Sequence, residues 1–114
     1  MNEDRVKLLV DLILDPNAAD HEKDDAAMDL AEFNDDRALN ALIKASQAPC
    51  KADQFALDNY GETIGTIWLR RNHFDKDVYY SLRSRARAGI YHILQNDKPE
   101  WIEKHHLDKD DFND

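Results

Sequence analysis

The stretch that decides the fold is Phe55-Ala-Leu-Asp-Asn-Tyr-Gly-Glu-Thr-Ile-Gly-Thr-Ile-Trp-Leu69. Its large apolar residues recur at intervals of three and four, which places them along one side of an α-helix. They are Leu57, Tyr60, Ile64, Ile67 and Trp68. Gly61 and Gly65 lie four residues apart and share a face of the same helix. Because a glycine costs a helix about 1 kcal/mol relative to alanine, we expect a neighbouring helix to approach closely at this face.

The rest of the chain divides into further helical segments that end at proline or at clusters of asparagine and aspartate. Six helices are expected, over about residues 2–14, 20–33, 36–47, 52–71, 75–95 and 99–107. Pro16 and Pro49 lie between helices, and Pro99 lies at a first helical position, where proline is well tolerated. No segment alternates apolar and polar residues for long enough to predict a strand. The sequence therefore predicts an all-α fold with antiparallel neighbouring helices.

Length and composition favour a single domain with one core. The chain has 114 residues, of which 42% are hydrophobic and 34% are charged. No apolar run approaches the roughly 18 residues that span a membrane, and the acidic N-terminus lacks the form of a signal peptide. The one cysteine, Cys50, lies beside Lys51 in a predicted loop and has no partner for an internal disulfide. We therefore expect a cytoplasmic protein with one domain over residues 1–107 and an acidic, flexible tail over residues 108–114.

The charge of the chain is unevenly distributed. The net charge is −9. Residues 1–36 hold 12 acidic and 3 basic residues, whereas residues 67–96 hold 2 acidic and 6 basic ones. The negative total argues against a nucleic-acid partner, because phosphate contacts need clustered cations. It favours rapid encounter with a basic protein.

An acidic set near the N-terminus is the first candidate binding surface. Asp25, Asp29, Glu32 and Asp36 follow one another at spacings of four, three and four. This spacing places them along one exposed side of the predicted helices. The set has two interpretations, a solvated surface or an anionic docking surface for a protein.

A basic cluster after the central helix is the second candidate surface. Its members are Arg70, Arg71, Arg83, Arg85 and Arg87, of which Arg83 and Arg87 share a helix face. Three interpretations remain open. These arginines pair with acids of the second helix or of the tail, they bind a protein partner, or they act with neighbouring tyrosines on a nucleic acid.

Motifs of catalysis and of metal binding are missing from the sequence. The adjacent His105 and His106 diverge by about 100° on a helix and do not readily share one metal ion. No Cys-x-x-Cys or His-x-x-x-His pattern occurs. All three glycines lie inside predicted helices, so no glycine-rich phosphate loop is expected. We therefore expect neither enzyme activity nor a cofactor or metal.

An internal similarity links successive helix pairs. Residues 24–42 form an alanine-rich helix, an Asn/Asp turn and then the phrase Asp-Arg-Ala-Leu. Residues 60–67 follow residues 27–30 at an interval of about 33 and look like the next first helix, and residues 86–94 look like a third. This pattern resembles the HEAT-like repeat over about residues 20–106. The resemblance implies a short right-handed solenoid with a partner-binding concave face, and the alternative is an irregular helical bundle.

The chain is also similar to the HEAT-like proteins found among bacterial contact-dependent growth inhibition immunity proteins. That resemblance implies a non-enzymatic, monomeric protein that holds a basic, nuclease-type toxin and masks its active site. The pair His21-Glu22 resembles the His-Glu pairs of the HEAT-like deoxyhypusine hydroxylases, but that family needs several pairs for its di-iron site. The alternatives are a scaffold or regulatory adaptor that binds a peptide in its concave groove, and a degenerate enzyme subunit.

Overall fold

The structure is a computed structural model that describes residues 5–47 and 54–108. Within these ranges the chain forms seven helices and no strand. The helices are α1 (Arg5–Leu14), α2 (Asp20–Leu30), α3 (Asp36–Ala45), α4 (Gln54–Arg71), α5 (Lys76–Ser81), α6 (Ser84–Asp97) and α7 (Pro99–Lys104). The predicted all-α class is confirmed. The loop around Cys50 and the tail after Asp108 lie outside the described residues.

The predicted fifth helix is wrong in one respect, because it is divided into α5 and α6. Leu82 and Arg83 have extended backbones, with ψ angles of 157° and 151°. Leu82 forms an isolated antiparallel bridge with Gln47, and the Arg83 N–H donates to the Ser46 carbonyl at 2.8 Å. The Leu82 side chain is only 2% exposed. The backbone pairing with the end of α3 replaces helical hydrogen bonds that are lost at the break. The burial of Leu82 adds apolar stabilisation.

The central helix α4 supplies the middle of the core, as its apolar spacing predicts. Every member of the predicted stripe is buried to within 1% of full burial. Side chains of the surrounding helices complete one continuous cluster. They include Ile13, Leu30, Leu42, Ile90 and Leu94.

The close approach predicted at Gly61 and Gly65 is confirmed, and the neighbouring helix is α6. A Cβ atom on Gly61 would overlap the backbone of Ala86, whose carbonyl carbon would lie 2.9 Å away. Gly89 of α6 meets α4 in the same way, because its Cβ would lie 3.2 Å from the Gly61 Cα. Gly65 is less tightly packed, since its Cβ would lie 3.3 Å from the Ile93 side chain and 3.6 Å from the Ile90 Cα. Residues 61 and 65 meet residues 86 and 93 in ascending order, so α4 and α6 run in the same general direction.

Helix α2 also follows the direction of α4. The Thr63 hydroxyl donates to the Ala27 carbonyl at 3.0 Å. Further along both helices, the Arg70 guanidinium donates to the Ala31 carbonyl. The order of these contacts places α2, α4 and α6 side by side with one general orientation.

The C-terminal end of α4 is closed by a Schellman motif. Asn72 has a φ of 54°, in the left-handed region that asparagine tolerates better than most residues. Its N–H donates to the Leu69 carbonyl at 3.1 Å, and the His73 N–H donates to the Trp68 carbonyl at 3.0 Å. The Lys98 ammonium donates to the Asn72 side-chain oxygen at 2.7 Å and so stabilises the position of Asn72. This motif explains the helix end at Arg71.

An aromatic cluster centred on Phe74 connects three helices beyond this point. The Phe74 ring lies 5.2 Å from Trp68 of α4, 5.5 Å from Tyr79 of α5 and 6.0 Å from Trp101 of α7. It also stacks on the His105 ring at 4.6 Å. The cluster therefore holds α7 against the body of the molecule.

Candidate protein-binding surfaces

The four predicted acidic residues occupy two kinds of environment. Asp25 on α2 and Glu32 in the following turn are exposed, and neither forms an ion pair with a described residue. Asp29 instead pairs with Arg5 of α1 at 3.1 Å. Asp36 is the first residue of α3 and pairs with a cation of α4 at 2.8 Å. Among the described residues, two of the four carboxylates therefore have no cationic partner.

Two further residues, which the sequence reasoning missed as binding candidates, lie on the same side of α2. Glu22 is exposed and has no ion pair with a described residue, and Met28 is 61% exposed. Glu22, Asp25, Met28 and Glu32 succeed one another at spacings of three, three and four. These four residues form what we call the α2 surface, an apolar side chain among three carboxylates. The exposure of Met28 was the missing signal, because a methionine in a helix is usually assigned to the core.

The arginines at the end of α4 bind the connection between α2 and α3. Arg71 donates to the Asn34 side-chain oxygen at 2.7 Å and to the Asp36 carboxylate at 2.8 Å. Arg70 donates to the Ala31 carbonyl at the end of α2. These contacts agree with the interpretation that the arginines pair within the chain. The acceptors lie between the end of α2 and the start of α3, however, and not on acidic residues of α2.

The remaining arginines lie around the junction of α5 and α6. Arg85 lies 3.8 Å from the Asp58 carboxylate of α4. Arg87 is partly buried and donates to the Leu82 carbonyl at 2.6 Å. Arg83 is the N-cap residue of α6 and is partly buried. Arg83 and Arg87 were predicted as binding residues on one helix face. Arg83 lies at the start of α6, and Arg87 lies one turn further along it. The hydrogen bond from Arg87 to Leu82 stabilises the junction of α5 and α6.

Two carboxyl groups have pKa values that are shifted in opposite directions, one by hydrogen bonds and the other by burial. Hydrogen bonds from Arg37 lower the pKa of Asp35, which caps α3 by accepting the Arg37 N–H at 2.8 Å. Burial raises the pKa of Glu62 on α4, Asp58 raises it further, and His92 partly offsets these effects. Asp35 caps α3 and Glu62 lies on the partly buried side of α4, so neither belongs to the α2 surface.

His105 is the titratable group of the aromatic cluster. Its ring stacks on Phe74 with an interplanar angle of 29°. Burial lowers the pKa of His105, and the nearby Lys104, Lys76 and His106 lower it further. Protonation of this imidazole is therefore harder in the folded chain than in the unfolded chain.

This pKa shift predicts a loss of stability on mild acidification. Below the ordinary histidine value of 6.5 the unfolded chain binds more protons at this site, so the free energy of unfolding falls until the pH reaches the lower folded-state pKa. Urea unfolding at about pH 7.5 and about pH 5.5 should show a larger loss for the wild type than for H105Q. Equal losses in the two proteins would exclude His105 as the cause.

Neither a metal centre nor a membrane-spanning helix is found in the part of the chain that the structure describes. No three histidine, cysteine or carboxylate side chains there are arranged to hold a metal ion. None of the helices described is both long and apolar enough to cross a membrane.

No protein-family model, curated protein or solved structure matches this chain. The physical character of its surfaces is therefore the basis for assigning a function.

Proposed function

We propose that the chain is a non-enzymatic protein-binding module whose α2 surface docks on a basic protein. The observation that carries the proposal is the exposed group of Glu22, Asp25 and Glu32, which no described cation neutralises. Glu22 and Asp25 lie three residues apart on α2, and like charges at this spacing reduce the stability of a helix. A partner that supplies cations relieves this repulsion, and opposite charges accelerate the encounter.

A short HEAT-like right-handed solenoid is the proposed architecture for presenting this surface. Helices α2, α4 and α6 share one general direction and alternate along the chain with α3, α5 and α7. That order fits the first helices of three successive helix pairs, each of which buries its core by stacking on its neighbour. The ion pair between Arg71, at the end of α4, and Asp36, at the start of α3, supports the antiparallel orientation of adjacent helices.

In its most concrete form, the proposal describes a cytoplasmic immunity protein that neutralises a basic, nuclease-type toxin. A nuclease active site attracts phosphate through its cations. The carboxylates of Asp25 and Glu32 would take the place of phosphate at that site and exclude the nucleic acid. Their exposure and their lack of ion pairs with described residues support this role, whereas Asp29 and Asp36 already have partners within the chain.

The test measures how charge reversal on α2 affects binding of a basic protein that co-purifies from the native host. D25K combined with E32K should weaken binding at least about 10-fold, because two attractive contacts are replaced by repulsive ones. The affinity of this variant should also fall less steeply than that of the wild type as the salt concentration rises. The melting temperature should not fall, since neither carboxylate has an ion pair with a described residue. Surface plasmon resonance at several salt concentrations gives both rate constants.

A matched control carries the same charge change at D15K combined with E100K, two exposed positions outside the α2 surface. It should weaken binding less than about 3-fold, through the long-range field alone. Unchanged affinity in the D25K/E32K variant would contradict the proposal. It would favour the alternative function, a HEAT-like scaffold or regulatory adaptor that binds a peptide in its concave groove.

A further inference from the structure

A shallow groove lies between α6 and the end of α7, and none of its lining residues belongs to the α2 surface. Three apolar and three polar side chains line it. They are Tyr91, Ile102, Leu107, Glu103, His106 and Asp108. None of these residues is among the predicted protein-binding residues, and Tyr91 of α6 meets the others only through the fold.

The shape of the groove follows from the way α7 ends. His106 has a φ of 55°, in the left-handed region. Its N–H donates to the Glu103 carbonyl at 3.2 Å, and the Leu107 N–H donates to the Ile102 carbonyl at 3.0 Å. These are the two hydrogen bonds of a Schellman motif, in which the residues joined by the longer-range bond usually make an apolar contact. The backbone therefore fixes Ile102 and Leu107 as an apolar wall before any ligand arrives.

The rim of the groove is acidic. Glu103 is exposed and forms no ion pair with a described residue. Asp108 also lines the groove but has an interaction of its own within the chain, so Glu103 is the carboxylate that a ligand would meet. No lysine or arginine is among the described residues of the lining. An apolar wall beside a carboxylate complements a lysine or arginine side chain, whose stem is apolar and whose end is cationic.

We propose that this groove binds a lysine or arginine side chain of the basic partner, as a second contact of the complex. The stem packs against Tyr91 and Ile102, and the ammonium or guanidinium group donates to Glu103. This inference rests on the proposed function, because the same basic protein supplies both contacts. It adds a contact on α6 and α7, which are four and five helices further along the chain than α2.

The test uses the full chain, labelled with ¹⁵N, and blocked peptides of about eight residues in which leucine alternates with either arginine or glutamate. The arginine peptide should shift the amide resonances of Glu103, His106 and Leu107 in a saturable way, and the glutamate peptide should not. E103K should raise the dissociation constant at this site at least about 5-fold. E100K makes the same charge change on the same helix outside the groove, and should change it less than about 2-fold.

Three results would overturn the groove assignment. Equal effects of E103K and E100K would show a long-range field without a defined site. Shifts confined to the α2 surface would place the cations elsewhere. Shifts of the groove resonances on dilution of the chain alone would assign the groove to a second copy of the protein.

Failure of this inference is distinguishable from failure of the proposed function. If D25K/E32K leaves partner affinity unchanged while E103K still weakens the arginine peptide, the proposed function fails and the groove assignment stands. If D25K/E32K abolishes partner binding while E103K changes neither peptide nor partner affinity, only the groove assignment fails.

Discussion

Replacing Trp68 with alanine is expected to lower the free energy of unfolding by about 3–5 kcal/mol, a large part of the total stability of a domain of this size. The indole is 1% exposed and meets the edge of Phe74 at a ring-centroid distance of 5.2 Å. Its removal costs the transfer free energy of a large side chain and leaves a cavity beneath the aromatic cluster. Urea unfolding followed by circular dichroism measures the change.

The matched control for W68A is Y80A. Tyr80 also makes an aromatic contact, with Tyr79 at a centroid distance of 5.1 Å, but it is 44% exposed. Its removal leaves no enclosed cavity and should cost less than about 1 kcal/mol. Equal losses for W68A and Y80A would show that Trp68 is not in the core that α4 supplies.

Alanine at Gly61 or at Gly89 is expected to lower the free energy of unfolding by about 1–3 kcal/mol. Alanine stabilises a helix by about 1 kcal/mol relative to glycine, so helix propensity alone predicts a gain. At Gly61 the new methyl group overlaps the backbone of Ala86, and at Gly89 it overlaps the backbone of α4. A backbone cannot rotate away as a side chain does, so the helices must move apart and lose packing along their whole contact.

Gly65 provides the internal comparison for these two variants. Its added methyl group would meet the Ile93 Cβ and Cγ2 at 3.3 Å, a contact that a shift of a few tenths of an ångström relieves. G65A should therefore change the free energy of unfolding by less than about 1 kcal/mol. If all three alanine variants were more stable than the wild type, helix propensity would be the dominant effect and the close contact would be absent.

The sequence predicted α4 and its buried stripe because both follow from local periodicity. Leu57, Ile64 and Trp68 recur at helical spacing, and that pattern needs no knowledge of the neighbouring helices. The two glycines also indicated a close neighbour, since their conformational cost needs a packing explanation. The identity of that neighbour, α6, depends on contacts between residues far apart in the chain.

The break between α5 and α6 was not predictable from local pattern. Val78, Leu82 and Ala86 continue a helical apolar stripe through the break, so periodicity alone favours one helix. The deciding contacts are with Ser46 and Gln47, more than 30 residues earlier. A tertiary backbone pairing of this kind leaves no mark in the spacing of apolar residues.

The candidate surface shows the same limit. Spacing placed Asp25, Asp29, Glu32 and Asp36 together, but only the fold shows which carboxylates have cationic partners. Arg5 comes from α1 and neutralises one of them, while α4 neutralises another. Spacing finds a charged face, and the packing of other helices decides which of its charges remain open.

The close contact between α4 and α6 is the central claim, because it joins α6, which lines the groove, to the helix on which α2 packs. The most direct measurement is a nuclear Overhauser spectrum of the folded chain in solution, with the α-protons of Gly61 and Gly89 assigned. Since a Cβ on Gly89 would lie 3.2 Å from the Gly61 Cα, these protons are expected to give a cross peak. Resolved α-proton resonances of both glycines with no cross peak between them would contradict the account.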